Sequence, residues 1–205
     1  MALIYIMDPM CSWCYAFQPH LKTLIGQLKP EIKVLCYMGG LAPDSDDPMP
    51  EEMQQTIQQT WMQIEARTGT HFNHDFWSRC EPRRSTYPAC RAVISVEKLS
   101  PGNGMQMVEA IQKAYYLDAR NPSNEDTLID LARQIGFEPQ QFKALLHSEE
   151  TETTLYADLN FCKSIAVQGF PFLGLENGNS IEPLAVGYCD QDELLARAMG
   201  LGIIH

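Results

Sequence analysis

A chain of 205 residues, 45% hydrophobic and 20% charged, is long enough to bury a proper core, as one domain or as a domain carrying a large insertion, and needs no disulfide staples to fold. Twenty-six acidic against fifteen basic residues give a formal net charge of −11, which repels phosphate backbones and anionic lipid, so neither nucleic acid nor a membrane surface is an expected partner. No apolar run approaches the roughly 18–20 residues that span a bilayer, and no basic segment followed by an apolar stretch and a small-residue cleavage site opens the chain, so a cytoplasmic setting is expected.

Ala2 to Met7 (ALIYIM) reads as a short buried strand. It runs into MDPMCSWCYAF, residues 7 to 17, and a helix is expected over Cys11 to Gln27. Lys33 to Met38 (KVLCYM) reads as a second buried strand, which makes a β-α-β beginning. Pro43 to Pro50 is acidic and proline-rich, can continue neither strand nor helix, and is a connector.

Only helical periodicity follows. In Glu51 to Arg67, Met53, Ile57, Trp61 and Ile64 share one face, and Gly69 is a stop signal. Pro88 to Leu99 groups Ala89, Ala92, Val96 and Leu99, and Met105, Val108, Ile111 and Tyr115 form the next stripe. Asn124 with Glu125 and Asp126 is expected to cap a helix that ends before Gly136. Pro139 suits the first position of a short helix, and Thr154 to Ala166 carries the last stripe. These stripes read as the core of a helical bundle, and none needs a ligand to explain it.

Strand signals return near the end. Pro171 to Leu175 (PFLGL) and Ser180 to Leu184 (SIEPL) flank Glu176-Asn177-Gly178-Asn179, whose Asn-Gly step signals a hairpin. Pro183 suits an edge strand. Asp190 followed by Glu193 has the spacing of a capping box, opening a helix with Leu194, Leu195 and Ala198. The expected fold is therefore α/β: a small sheet domain from residues 1–42 and 155–205, interrupted by an all-helical insertion over 43–154.

Seven cysteines are an odd number at spacings that do not repeat, so no disulfide framework is expected. Cys36, Cys90 and Cys162 lie among apolar residues and read as small core side chains. Cys80 and Cys90, with His71 and His74 before them, fit no common zinc spacing, so no metal is expected. Cys189 carries no signal of its own. The remaining pair is different. A Cys-x-x-Cys at a strand–helix junction puts the first sulfur, that of Cys11, at a helix N-terminus, where unpaired N–H groups and the dipole favour thiolate over thiol. Two intervening residues bring Cys14 within disulfide distance one turn deeper, so Cys11 can attack a partner's disulfide and Cys14 can resolve the mixed intermediate. Half a zinc site is the alternative, and it lacks a second ligand pair. Cys11 and Cys14 are thus the candidate catalytic residues.

The stretch also resembles a known signature. MDPMCSWCYAF is similar to the D-x-x-C-x-W-C-Y motif of the DsbA-like branch of the thioredoxin superfamily, with Asp8, Cys11, Trp13, Cys14 and Tyr15 in the matching positions. MGGLAP at 38–43, STYPACRAV at 85–93, AYYLDARNPSN at 114–124 and VQGFPFL at 167–173 are similar to segments of a cytoplasmic subfamily described as candidate protein-disulfide isomerases. The resemblance implies a thioredoxin-like fold with a large all-helical insertion, and a thiol–disulfide oxidoreductase or isomerase activity. It implies a cis bond before Pro171, facing the cysteine pair, with Phe170 pairing a bound client strand and Trp13 also at the substrate.

Three departures shape that expectation. Ser12 replaces the proline frequent in relatives. Trp13 stands where the periplasmic oxidant DsbA has histidine, so no neighbouring imidazolium supports a thiolate and a strong oxidant is not expected. Tyr5 stands where many members carry a buried acid, and Asp8 with Pro9 is expected to shape the turn. The expected activity is reduction or rearrangement of disulfides in client proteins or small thiols. No bound cofactor is expected; glutathione or a thioredoxin system would supply electrons. Two alternatives remain on this scaffold: a non-catalytic adaptor that presents another protein to a protease, and a small-molecule enzyme like the kappa-class glutathione transferases, which characteristically have serine in place of Cys11.

Overall fold

Six consecutive apolar or aromatic residues make strand β1 (Ala2–Met7), buried along its whole length in the computed structural model, which describes residues 1–178 and 180–205. The strand sits inside a four-stranded sheet of order β2-β1-β3-β4, where β2 is Lys33–Met38, β3 is Phe172–Asn177 and β4 is Ser180–Val186. β1 and β2 are parallel, from Ala2 opposite Lys33 to Met7 opposite Met38, and helix α1 (Ser12–Ile25) is the crossover that parallel neighbours require. β3 is antiparallel to both β1 and β4. The β3–β4 hairpin turns at Gly178, whose φ of 64° is a conformation that L side chains rarely adopt. Asn179, the last residue of the expected turn, lies outside the described residues.

Edge position corrects one expectation. β2 borders solvent, so Val34 and Leu35 are exposed and Cys36 is only half-buried, although the segment reads as a buried strand and Cys36 as a core thiol. Pro183, which cannot donate a ladder hydrogen bond, sits on the other edge, in β4, where it pairs with Gly174 beside a shift of register.

The chain divides into two compact units, Met1–Gly39 with Asp158–His205, and Gly40–Ala157. The second unit holds α2 (Glu51–Thr68), α3 (Phe76–Arg79), α4 (Tyr87–Leu99), α5 (Gly104–Tyr116), α6 (Glu125–Gln134), α7 (Pro139–Leu146) and the start of α8 (Glu149–Ser164). Its core contains Trp61, which is fully buried. The Trp61 ring stacks on Phe72 at 5.0 Å and meets Tyr116 and Tyr115 edge-on at 5.4 and 5.5 Å, a geometry suited to aromatic quadrupoles. Cys90 is buried on α4, and the Cys80 thiol donates to the Ala119 carbonyl at 3.0 Å. Asn124 does begin α6, but its side chain makes no cap. Its Oδ1 instead accepts from Arg83 Nη2 at 2.7 Å, so a long-range partner displaces the expected local bond.

In the first unit, strand alternation sends Ile4 and Ile6 to one face of the sheet and Leu3 and Tyr5 to the other. Ile4 and Ile6 cluster with Phe172 and, from the end of α8, Cys162, with Tyr37, Phe161 and Ile165 packed around them. Cys14, Phe17, Leu21 and Leu24 of α1 are buried in the same unit. The last helix, α9 (Gln191–Gly200), starts at Asp190, yet neither half of the expected capping box forms, because Glu193 pairs with Arg197 at 2.5 Å.

Asp158 makes a polar link within this unit: the Met38 amide donates to its Oδ2 at 2.9 Å. Burial pushes the Asp158 carboxyl up to about 6, against the opposing effect of that amide. Its charge helps to push the neighbouring Cys162 thiol up to about 11, after burial. The folded state therefore holds this proton more tightly than the unfolded chain does, and stability falls as pH rises from about 4 through about 6. Asp158→Asn keeps an acceptor for Met38 and removes the charge. Denaturant unfolding should show the variant more stable by about 1–2 kcal/mol above pH 7, allowing for solvent screening, with the difference vanishing near pH 4.

Candidate functional site

The chain turns as soon as β1 ends. The Cys11 amide donates to the Asp8 carbonyl at 3.0 Å, and the Met10 amide donates to Asp8 Oδ1 at 2.7 Å. The fully buried Asp8 thus shapes the turn through its side chain, as short carboxylates do when they bond the backbone two residues on. Cys11 becomes the N-cap of α1, and its carbonyl accepts the first helical bond, from the Tyr15 amide at 3.0 Å. One turn deeper lies Cys14. Cys11 retains 7% exposure and Cys14 none.

The two side chains are close enough to influence each other's ionisation. Burial pushes the Cys14 thiol well up, the neighbouring Cys11 adds to it, and the Asp8 backbone opposes. Cys14 therefore keeps its proton at neutral pH in the resting dithiol. The buried Tyr5 side chain, from the centre of β1, lies near enough to both thiols that burial, with the charges of Cys14, Cys36 and Cys11, pushes its hydroxyl well up.

Residues far along the chain complete the site. The Phe170–Pro171 peptide is cis, and Cys11 Sγ lies 3.8 Å from the Phe170 carbonyl oxygen, a long thiol-to-carbonyl hydrogen bond. The Phe170 ring packs on Gly39, so closely that a Cβ there would stand 2.1 Å from the ring's Cζ. Trp13 is half-buried beside the cysteines and faces Tyr188 at 5.5 Å, whose ring also lies 5.4 Å from His20.

Of the residues expected at the site, Cys11, Cys14, Phe170 and Pro171 come together, and Trp13 flanks them against Tyr188. Sequence reasoning did not find the nearness of Tyr5 to the cysteine pair, the Phe170–Gly39 packing or Tyr188. Alternation along β1 puts Tyr5 on one face with Leu3, but which groups lie near it is a tertiary fact. Among the described residues no group of three or more His, Cys, Asp or Glu is placed to hold a metal ion, and no helix is long and apolar enough to cross a membrane.

A family model described as thioredoxin matches residues 4–190. The chain belongs to the thioredoxin family. Among solved structures, this thioredoxin-family chain is similar to a candidate protein disulfide isomerase from Nitrosomonas europaea, at 27% identity and a TM-score of 0.87, covering 97% of this chain and 96% of that one. It shares its fold with the cytosolic disulfide reductase DsbM from Pseudomonas aeruginosa, at 22% identity and a TM-score of 0.81, over 98% and 99% of the two chains. The fold is thus thioredoxin-like and DsbA-like, with helices set between the second and third strands. A curated relative, the ClpXP adapter protein SpxH of Halalkalibacterium halodurans, is 27% identical over 188 residues, which are 84% of this chain and 58% of that protein. The chain therefore spans less than two thirds of that relative's length.

Proposed function

We propose that this protein is a cytoplasmic thiol–disulfide oxidoreductase that reduces or rearranges disulfides in client proteins or small thiols through the Cys11-Ser12-Trp13-Cys14 dithiol. The observation that carries the reading is the asymmetry of the pair: Cys11 sits at the helix start against the Phe170 carbonyl, and Cys14 is fully buried one turn deeper and held protonated. Cys11, as thiolate, attacks a client disulfide; an S–S bond forms between Cys11 and one client sulfur while the other leaves as a thiolate. Cys14 then attacks Cys11 Sγ, the mixed disulfide breaks, and the second client thiol departs. Two electrons have passed to the client, and the Cys11–Cys14 disulfide remains. In rearrangement, a client thiol attacks the mixed disulfide instead and the dithiol is restored directly.

The Phe170 backbone and Pro171 line the approach to Cys11, and the Trp13–Tyr188 pair offers an apolar flank for a client. No bound cofactor enters the cycle. A cellular thiol pool, glutathione or a thioredoxin system, returns the enzyme to the dithiol, which fits a compartment where disulfides are transient. The similarity to a cytosolic disulfide reductase and to a candidate disulfide isomerase supports the reading.

A second reading is favoured by the relative named as a ClpXP adapter: a non-catalytic adaptor on the same scaffold, which needs neither thiol. One assay separates them. Turnover of a test disulfide by the wild type, abolished in Cys11→Ser, is expected for the enzyme, whereas a protein partner retained equally by the Cys11→Ser variant, with no wild-type turnover, supports the adaptor.

A further inference from the structure

Asp158 and Cys162 take no part in the exchange, yet both hold backbone that leads into the site. β2 is an edge of the sheet, and among the described residues the end of α8 takes up the backbone of Met38 there. The Met38 amide donates to Asp158 Oδ2 at 2.9 Å, and the Cys162 thiol makes a long bond of 4.0 Å to the Met38 carbonyl. Gly39 comes next. Its amide donates to the Met7 carbonyl, at the end of β1, at 2.7 Å, and it meets the Phe170 ring so closely that an added Cβ would stand 2.1 Å from Cζ. The Phe170 ring also packs on the cluster that contains Cys162, and the Phe170 carbonyl lies 3.8 Å from Cys11 Sγ. A run of contacts thus joins the Asp158 carboxylate to the attacking sulfur through Met38, Gly39 and Phe170.

We propose that Asp158 is a positioning residue for client binding: its carboxylate fixes the end of β2, so that Gly39 gives the Phe170 ring a set seat and the Phe170 backbone meets a client strand beside Cys11. This role rests on the proposed oxidoreductase, with Phe170 as part of the platform for clients. A desolvated carboxylate is a costly way to hold one amide, since an asparagine would accept the same bond with no charge to bury. What the charge adds is strength: a charge-assisted bond is roughly twice as strong as a neutral one, and here it acts one residue from the seat. The titratable groups beside Asp158 are Tyr37 of β2 and Cys162, one turn along α8, with Glu176 of β3 reaching Tyr37. Burial raises the Tyr37 hydroxyl, and it raises the Cys162 thiol to about 11, so both stay neutral over about pH 5–8 while the Asp158 carboxyl, pushed up to about 6, loses its proton. Above that pH the carboxylate grips Met38. Below it the neutral carboxyl holds the amide less firmly.

The test sets a client protein, unfolded ribonuclease with scrambled disulfides, against a small probe, hydroxyethyl disulfide. Pre-reduced protein gives two electrons to either substrate, and the loss of alkylatable Cys11 and Cys14 is followed by mass spectrometry. Taking the ratio of the two rates cancels the thiolate fraction of Cys11, which changes with pH for both. At about pH 7.5 Asp158→Asn should lower the ratio about threefold, through a higher half-saturation for the client. Asp158→Asn is expected to be the more stable protein at that pH, so unfolding does not account for the loss. As pH falls from about 7.5 to about 5, the wild-type ratio should drop by a like amount with its midpoint at about 6, while that of Asp158→Asn stays flat. Asp158→Ala, which takes this acceptor from the Met38 amide, should lower the ratio about tenfold. A wild-type ratio in Asp158→Asn at about pH 7.5, or a flat wild-type profile, would overturn the inference. Equal loss against both substrates would also overturn it, since that marks damage to the dithiol and not to the client's seat. A wild type that reduces neither substrate brings down the oxidoreductase reading itself, a result distinct from these.

Discussion

Cys14→Ser should accumulate stable mixed disulfides with client proteins or glutathione, and Cys11→Ser almost none. The asymmetry follows from where each sulfur sits. Cys11 is the N-cap of α1, beside the Phe170 carbonyl, with the residual exposure that an incoming disulfide needs. Cys14 is enclosed, and its thiol is held protonated by burial and by the neighbouring Cys11. Removing Cys14 leaves an attacking sulfur with no internal partner to resolve it, so the intermediate persists. Removing Cys11 leaves a sulfur that a client cannot reach. Net reduction of a test disulfide at pH 7, which needs both thiols, should fall at least about a hundredfold in either variant, because a serine hydroxyl is a very poor nucleophile at that pH. Non-reducing gels with mass spectrometry read the trapped species. Equal trapping by both variants, or no wild-type reduction or rearrangement of any test disulfide, would put the adaptor reading first.

Gly39→Ala should damage the site from outside the cysteine pair. The added Cβ would stand 2.1 and 2.2 Å from two atoms of the Phe170 ring, far inside van der Waals contact, so the ring must move. Phe170 carries the carbonyl that lies against Cys11, and Gly39 is itself tied to the end of β1 by a 2.7 Å bond from its amide to Met7, so the ring and its backbone must yield. Reduction of a client protein should fall about tenfold or more. A small test disulfide that needs no strand platform should lose less, and the protein should unfold about 1–3 kcal/mol more easily. Gly200→Ala, where an added Cβ meets nothing within 4 Å, is the control and should match the wild type in both assays. Full client reduction by Gly39→Ala would show that Phe170 has no part in binding clients.

Taken alone, the sequence determined what depends on near neighbours. Alternating or continuous apolar runs set the strands, helical stripes set the inserted block, and an Asn-Gly step set the hairpin, because these patterns repeat over a few residues. The Cys-x-x-Cys was legible for the same reason: a strand, a turn and a helix start lie within one short stretch, and that alone places one sulfur at the helix end and the other a turn inside. The tertiary structure decided everything that joins distant segments. Only the antiparallel docking of β3 on β1 brings the Phe170 carbonyl to Cys11, across 159 residues of chain. Only the sheet order makes β2 an edge and leaves Cys36 half-exposed, since a buried and an edge strand of six residues share the same local pattern. Arg83 takes the Asn124 oxygen from its cap, because a charged donor delivered by the fold outbids a local amide. The nearness of Tyr5 to the cysteine pair belongs to the same class: alternation chose a face for Tyr5, and the tertiary fold decided which groups lie near it.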